Sequence, residues 1–291
     1  MMRVLVFGHT GQVARALAQQ ASADITITCL GRDRADLTNA AACAAIIAGA
    51  DADADIVINA AAYTAVDRAE AEADLAHAVN AAAPAAMARA CAARQIPFLH
   101  ISTDYVFDGS GSTPWQVDDL TGPLGVYGHT KLAGEEAVRA AAGTHVILRT
   151  SWVFSAHGAN FVKTMLRLGA TRPEINVVAD QHGGPTAADD IATALISIAR
   201  AFHTGRGISG TYHFSGSPDV SWADFARAIF ASARIDCAVQ DIPTSAYPTP
   251  AARPANSRLD CSALARDYAI TRPDWQASLT KVIRTLKEGS Q

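Results

Sequence analysis

A glycine turn lies between the first apolar run of this chain and its first helix-length segment. Arg3–Phe7 runs directly into Gly8-His9-Thr10-Gly11-Gln12-Val13-Ala14, a G-x-x-G-x-x-A pattern. Glycine permits a tight turn and close backbone approach, and the free N–H groups of the helix that follows face an anion such as a pyrophosphate. Ala14 takes the third position, where a small residue lets helix and strand pack. A glycine pattern alone is weak, because a purely structural turn looks the same. Its place at the first strand–helix junction of an alternating chain is what favours a dinucleotide ligand.

That alternation continues through the first half. Arg3–Phe7, Ile25–Leu30, Asp55–Asn59, Pro97–Ser102 and His145–Thr150 read as buried strands. Helix-length, alanine-rich segments at Gly11–Gln20, Ala40–Ala48 and Pro84–Arg94 lie between them, with charges recurring at helical spacing. Nearly continuous apolar strands joined by helices predict an α/β fold, a doubly wound parallel sheet with helices on both faces. After Trp152 the texture changes. Helices are expected over Asn160–Leu168, Ala187–Phe202, Ser221–Ala231 and Gln276–Leu286, a strand over Ile175–Ala179, and an ordered proline-rich loop over 243–258. The expected division is 1–151 for the dinucleotide-binding unit, then 152–184 and 216–291 for a smaller lobe, with segments around 185–215 free to rejoin the first. A chain of 291 residues suits about two such units.

Charge narrows the ligands. The net charge is −4, only 18% of residues are charged, and no basic run of five or more occurs. Nucleic acid and anionic membranes are therefore poor partners, and an anionic ligand must be held by local geometry. Cys29, Cys43, Cys91, Cys237 and Cys261 are odd in number and far apart, which argues against a disulfide framework or a zinc site. With no signal-peptide pattern and no apolar stretch near membrane-spanning length, the protein is expected in the cytoplasm.

The second strand ends at Leu30-Gly31-Arg32-Asp33-Arg34. An acidic residue near this point receives ribose hydroxyls, whereas an arginine accommodates a 2′-phosphate. Arg32 therefore points to NADPH, and Asp33 keeps NADH open. Asn59-Ala60-Ala61-Ala62-Tyr63 ends another strand, where small residues let a cofactor lie against backbone, and Asp36-Leu37 is placed to border an adenine.

Tyr127-Gly128-His129-Thr130-Lys131 sets a phenol and an ammonium four residues apart, on one face of a helix. A tyrosine with a pKa of about 10 needs help to act near neutrality, and a lysine cation would lower it. Six tyrosines and four lysines would meet at this spacing by chance about 0.08 times in a chain of 291 residues. Upstream, Ile101-Ser102-Thr103-Asp104-Tyr105 closes a strand. The Thr103 hydroxyl can hold a carbonyl oxygen as negative charge develops on it, while Ser102 points to the opposite side. A hydroxyl that merely caps a helix would read the same way.

These motifs, in this order and spacing, resemble the extended short-chain dehydrogenase/reductase family, and more narrowly the dTDP-4-dehydrorhamnose reductases within it. The narrower likeness rests on Gly8–Val13, Ser102–Gly109, Pro123–Gly134, Arg149–Phe154, Asn160–Leu166, Asp180–Thr186, Pro243–Pro250 and Arg253–Leu259, nearly the whole chain. The resemblance implies a Rossmann-type sheet with a smaller C-terminal substrate-binding lobe. It implies NAD(P)H-dependent reduction of the C4 ketone of dTDP-4-dehydro-β-L-rhamnose to dTDP-β-L-rhamnose. Carried onto this sequence, Tyr127 gives the proton, Lys131 positions cofactor and tunes Tyr127, and Thr103 holds the ketone oxygen. Gly11, Gln12 and Val13 meet the pyrophosphate, and Asp36, Leu37, Ala61, Ala62 and Tyr63 line the rest of the cofactor, beside Gly8 and Arg32 already read from their own positions. Asp104, Tyr105 and Trp152 touch the sugar. Asn160, Gln181 and Arg253 are candidates for the diphosphate end, arginine because its planar fork pairs well with phosphate.

Related enzymes leave alternatives. A 4,6-dehydratase carries Asp-Glu after the threonine, the Glu serving the elimination; here Asp104-Tyr105 follows, so elimination lacks its expected residue. A 4-epimerase, another 4-ketoreductase, or a non-catalytic regulatory subunit of methionine adenosyltransferase shares the fold, though a binding module has no need of Thr103, Tyr127 and Lys131. Family likeness also raises interface Mg²⁺ in a homodimer, against a monomer, but the sequence shows no convincing carboxylate cluster, and Asp189-Asp190 reads as the start of a helix.

Overall fold

The computed structural model describes residues 1–49 and 53–289; residues 50–52 and 290–291, which the expected division includes, lie outside them. Five strands and six helices fill the first half: β1 (Met2–Phe7), α1 (Gln12–Ala18), β2 (Ile25–Leu30), α2 (Ala40–Ala48), β3 (Ile56–Asn59), α3 (Val66–Ala69), α4 (Ala73–His77), α5 (Ala83–Ala93), β4 (Phe98–Thr103), α6 (Val126–Ala140) and β5 (His145–Thr150). The second half holds β6 (Val153–Phe154), α7 (Phe161–Gly169), β7 (Glu174–Val178), β8 (His182–Gly183), β9 (Thr186–Ala187), α8 (Ala188–His203), β10 (Gly210–His213), β11 (Val220–Ser221), α9 (Trp222–Ala233), β12 (Ala238–Ile242), β13 (Asn256–Ser257), α10 (Ser262–Tyr268) and α11 (Trp275–Glu288).

Six strands form one parallel sheet in the order β10-β5-β4-β3-β1-β2. Alternate residues of each strand supply opposite faces. Val4, Val6, Ile56, Ile58 and Leu148 join α1 and α8 in one core, while Leu5, Phe7, Val57 and Ile147 join α2, α5 and α6 in the other. Burial on both faces is why these strands read as unbroken apolar runs. The chain steps from β1 outward to β2, then returns to β3 on the far side of β1. Ligands bind outside the carboxyl ends of strands at such a reversal. The register puts Phe7, Leu30 and Asn59 level at that edge, and Thr103 level with Thr150 on β4 and β5.

The five strands expected in the first half are present to within one residue, and the expected helices to within two. Several elements have no counterpart in the expectation, β12 and the two-residue strands of the second half among them. Residues 66–82 form α3, α4 and a wide π-helical turn at Ala78–Ala82 that carries buried Asn80. The sixth strand, β10, has no apolar run to announce it; pairing with β5 creates it. Helix α10 is a further addition.

The second core lies in the C-terminal lobe and is aromatic. Phe154, Phe225 and Trp275 are buried there, with Trp152, Phe161 and Trp222 packed against them. Helix α9 opens with a reciprocal cap between Ser221 and Asp224, and Asn160 caps α7 by accepting from Lys163 N. Asp189 and Asp190 lie in the first turn of α8, and Asp190 accepts from the Ser278 hydroxyl of α11 at 2.7 Å. The five cysteines are free thiols. Among the described residues, no helix is long and apolar enough to cross a membrane.

Candidate active site

A cleft of about 920 Å³ opens along the carboxyl edge of the sheet, between the strand ends and the lobe. Gly8 begins it with φ +122°, a conformation that L side chains rarely adopt, and a Cβ there would press on the Ala60 backbone. The first turn of α1 then presents free N–H groups, since Gly11 at its cap supplies no side-chain acceptor. Every residue expected in the site borders this cleft except Gln181 and Arg253.

Gln181 is nearly buried and donates to Thr244 Oγ1 at 3.1 Å. Arg253 forms an ion pair with Asp67 at 2.8 Å; burial and the Asp104 charge push the nearby Tyr105 phenol up, and the Arg253 charge only partly opposes them. Asn160 borders the cleft, but its amide is already occupied: Nδ2 donates to Gln12 Oε1 at 2.9 Å and to Ser155 O at 2.8 Å. Ser155 also donates to Gln12 Oε1, at 3.0 Å. The Gln12 side chain therefore ties the glycine turn to the lobe. At the adenosine end, Arg32 is largely exposed and pairs with Asp36 at 3.2 Å. Asp36 Oδ1 in turn accepts from Thr38 N and Oγ1, which holds its carboxyl below the usual range.

The chemical end is built by β4 and α6. Thr103 caps the 3₁₀ turn Asp104–Val106, accepting from Tyr105 N at 3.2 Å and donating to Asp104 Oδ1 at 2.9 Å. The capping and ligand-facing readings of this hydroxyl are thus compatible. Ser102 faces the other way and donates to Glu135 under α6 at 2.5 Å. The Tyr127 ring meets Tyr105 edge-on, with centroids 5.4 Å apart. Gly128 brings α6 close, since a Cβ at that position would overlap the Tyr105 carbonyl oxygen.

One electrostatic expectation is corrected. Lys131 does not lower the Tyr127 phenol; burial pushes it up to about 12, with the neighbouring Thr103 hydroxyl pulling slightly the other way. The ammonium is turned onto β4, where Nζ donates to Ile101 O at 2.7 Å. Burial in turn brings Lys131 down to about 8. Tyr127 therefore keeps its proton at neutral pH, as a proton donor must. Burial also raises Asp104 to about 6, against the nearby Ser257 hydroxyl and the Thr103 hydrogen bond.

Among the described residues, two buried side-chain polar atoms lack a hydrogen-bond partner: Asp104 Oδ2 and Thr150 Oγ1. Both residues line the cleft. Orphaned polar atoms are rare in folded proteins, and two at one site mark where a polar ligand completes the bonding. Trp152 adds an aromatic wall: it adopts φ +50° and stacks on Trp222 at 3.6 Å. No group of three His, Cys, Asp or Glu side chains that could hold a metal occurs among the described residues.

Several site residues carried no sequence signal. Asn80 accepts from Tyr63 N at 2.8 Å and donates to Thr130 Oγ1 at 3.1 Å, clasping the β3 loop to α6. Tyr63 donates to Glu72 Oε2 at 2.5 Å. Glu135 lies fully buried between Arg149 (2.7 Å) and Arg139 (3.2 Å), behind Lys131 on the same helix. An acidic residue one turn beyond the lysine was the only available hint.

The fold agrees with that of solved relatives. The family model described as the RmlD substrate binding domain matches residues 2–288. A dTDP-4-dehydrorhamnose reductase from Sinorhizobium fredii is 48% identical over 98% of each chain. Among solved structures, the dTDP-4-dehydrorhamnose reductase of Clostridium acetobutylicum superposes with a TM-score of 0.91 at 35% identity, over 98% of this chain and 100% of that one. The Bacillus anthracis enzyme, solved in complex with NADP, gives the same score at 34% identity, with the same coverage. On these matches, which run through nearly all of it, the chain belongs to the RmlD family, the dTDP-4-dehydrorhamnose reductases.

Proposed function

We propose that this protein reduces the C4 ketone of dTDP-4-dehydro-β-L-rhamnose, giving dTDP-β-L-rhamnose, with NADPH as reductant. The observation that carries this reading is the convergence of Thr103, Tyr127 and Lys131 at one end of a cleft that begins at the glycine turn. The reduced nicotinamide supplies a hydride when bound. Gly8, Gly11, Gln12 and Val13 present backbone to the pyrophosphate, with Ala61, Ala62 and Tyr63 lining the opposite wall. Asp36 and Leu37 border the adenosine. Arg32, exposed and held only by Asp36, is available to a 2′-phosphate, and the NADP complex of the Bacillus anthracis relative supports that choice over NADH.

The chain's own residues handle the ketone. Thr103 Oγ1 steadies the C4 oxygen as charge develops on it. Tyr127, neutral because it is buried, gives its hydroxyl proton to that oxygen, and the resulting phenolate is stabilised when the Lys131 ammonium turns toward the cleft. Asp104 Oδ2 and Thr150 Oγ1 gain partners from polar groups of the ligand. Tyr105 and Trp152 cover the apolar side of the deoxysugar, and water leaves the site. Asn160 acts through Gln12, shaping the pyrophosphate end. Gln181 and Arg253 stand beyond the cleft wall, where Arg253 reaches the sugar nucleotide only by giving up Asp67.

Supplying dTDP-4-dehydrorhamnose and following NADPH absorbance tests the reading. The wild type should consume NADPH, and Tyr127→Phe should slow turnover by about 10²–10⁴-fold. No consumption, or full activity in the variant, would overturn it. Arg253→Ala should raise KM for the nucleotide sugar while sparing that for NADPH; an unchanged KM would remove Arg253 from the substrate path.

A further inference from the structure

Behind Lys131 lies a buried imidazole to which the reaction gives no role. His100, on β4, is wholly buried, and its Nε2 lies 3.4 Å from Lys131 Nζ. Its Nδ1 lies 3.1 Å from Asn59 Nδ2. The Asn59 amide is oriented by Ala61, whose N–H donates to Oδ1 at 3.2 Å. Asn59 Nδ2 is therefore the donor to His100 Nδ1, and the neutral ring carries its proton on Nε2, facing Lys131. Burial first, and the Lys131 charge second, keep this ring neutral.

That arrangement sets two N–H groups against each other. An ammonium cannot donate to a protonated Nε2, so the 3.4 Å contact becomes a hydrogen bond only when Lys131 is a neutral amine and accepts. The other groups around Lys131 are few. Glu135, one turn along α6, favours the ammonium but is itself held by Arg149 from β5 and Arg139 from α6. Tyr127 lies one turn back and is neutral, with Asp104 beside it after β4. On β3 the facing group is the uncharged Asn59.

We infer that His100, fixed by Asn59, is a positioning residue for Lys131: its Nε2–H offers the ammonium no second acceptor beside the Ile101 carbonyl at 2.7 Å, so that one bond is given up when Lys131 turns to a ligand in the cleft. The inference rests on the reading of Lys131 as a cofactor-holding residue. It makes Asn59-His100-Lys131 a line of contacts running from the β3 edge to the reacting end of the cleft.

Two amide variants separate this role from simple core packing. His100→Gln keeps a polar group near the Nε2 position and offers the ammonium an acceptor; His100→Asn keeps one near Nδ1, facing Asn59 alone. Equilibrium binding of NADP⁺ without sugar is read against pH. Wild-type affinity should fall with a midpoint near 8, as Lys131 loses its proton. His100→Gln anchors the ammonium on β4, so below that midpoint it should bind NADP⁺ about threefold more weakly than wild type, and its midpoint should move upward as the charged amine is favoured. His100→Asn should not give this rise, and His100→Gln should change nothing in a Lys131→Met background. Equal effects of both amides, or the same effect of His100→Gln with and without Lys131, would make His100 a core residue and overturn the inference. If Lys131→Met alone leaves NADP⁺ affinity and its pH dependence untouched, the reading of Lys131 fails instead.

Discussion

The seam between β4 and α6 and the core of the C-terminal lobe are both buried, yet they are held by opposite means. The seam is polar: Ser102 and Arg149 donate to Glu135 at 2.5–2.9 Å, and the Lys131 ammonium donates to Ile101 O at 2.7 Å. The lobe is aromatic: Trp152, Trp222, Phe161, Phe225 and Trp275 meet ring to ring. Directed bonds fix the angle of α6, and so the reach of Tyr127, to a fraction of an ångström, which proton transfer requires. Ring packing constrains orientation less sharply than a hydrogen bond, so on the proposed reading the wall that meets the sugar can adjust. The comparison teaches that precision was placed where a bond is made, and tolerance where a shape is recognised.

The largest way to break this contrast is Glu135→Ala. It strands the Arg149 guanidinium in the interior, and denaturant unfolding should show a loss of about 3–5 kcal/mol. Replacing Glu135 and Arg149 together with apolar residues should recover much of that stability without recovering turnover, because the helix angle is then unspecified. Equal recovery of both would show that the network stabilises without positioning.

The pH response sharpens the same contrast. Turnover should decline about tenfold per unit above a pH near 8, following Lys131 and not Tyr127, whose proton persists to about 12. Stability should move the other way. Lys131 is depressed below its ordinary 10.5, so between about 8 and 10.5 the unfolded chain holds a proton that the folded one has released. In that window this group's unfavourable contribution fades as pH rises. A stability curve and a rate curve falling together would contradict the assignment.

Smaller effects belong to the lobe and its link to the sheet. Trp222→Leu removes the stack on Trp152 and should cost about 0.5–1.5 kcal/mol, with KM for the sugar nucleotide rising and NADPH affinity spared. Gln12→Leu should cost about 0.5–1.5 kcal/mol through its bonds to Ser155 and Asn160, and should weaken cofactor and sugar together. A change confined to the cofactor would mean that the turn and the lobe are not coupled through this side chain.

Much of the sheet half was legible because its signals are local. The apolar runs, Gly8 with its turn, and the Tyr127/Lys131 spacing each state their role within a few residues, and all of them meet at one cleft. What escaped was set by distant partners. Strand β10 is Gly-Thr-Tyr-His, with no strand pattern until β5 lies beside it. Asn80 looks like any polar residue in an alanine-rich stretch until a wide turn aims it at Tyr63. The expected lowering of the Tyr127 phenol failed for a similar reason. Spacing along α6 was right, but β4 supplied a carbonyl that drew the ammonium away.

That late sixth strand has a consequence for how the protein is made. Thr150 leaves the sheet and the chain forms β6, α7, β7, β8, β9 and α8 before Gly210 returns to pair with Val146. During synthesis the β5 edge therefore stays bare until the polypeptide has passed residue 213, and a fragment ending near 151 would display that edge permanently. Bare parallel edges recruit other chains. The nucleotide-binding half should consequently be obtained as aggregate when expressed alone, and nascent chains should need shelter through just this interval.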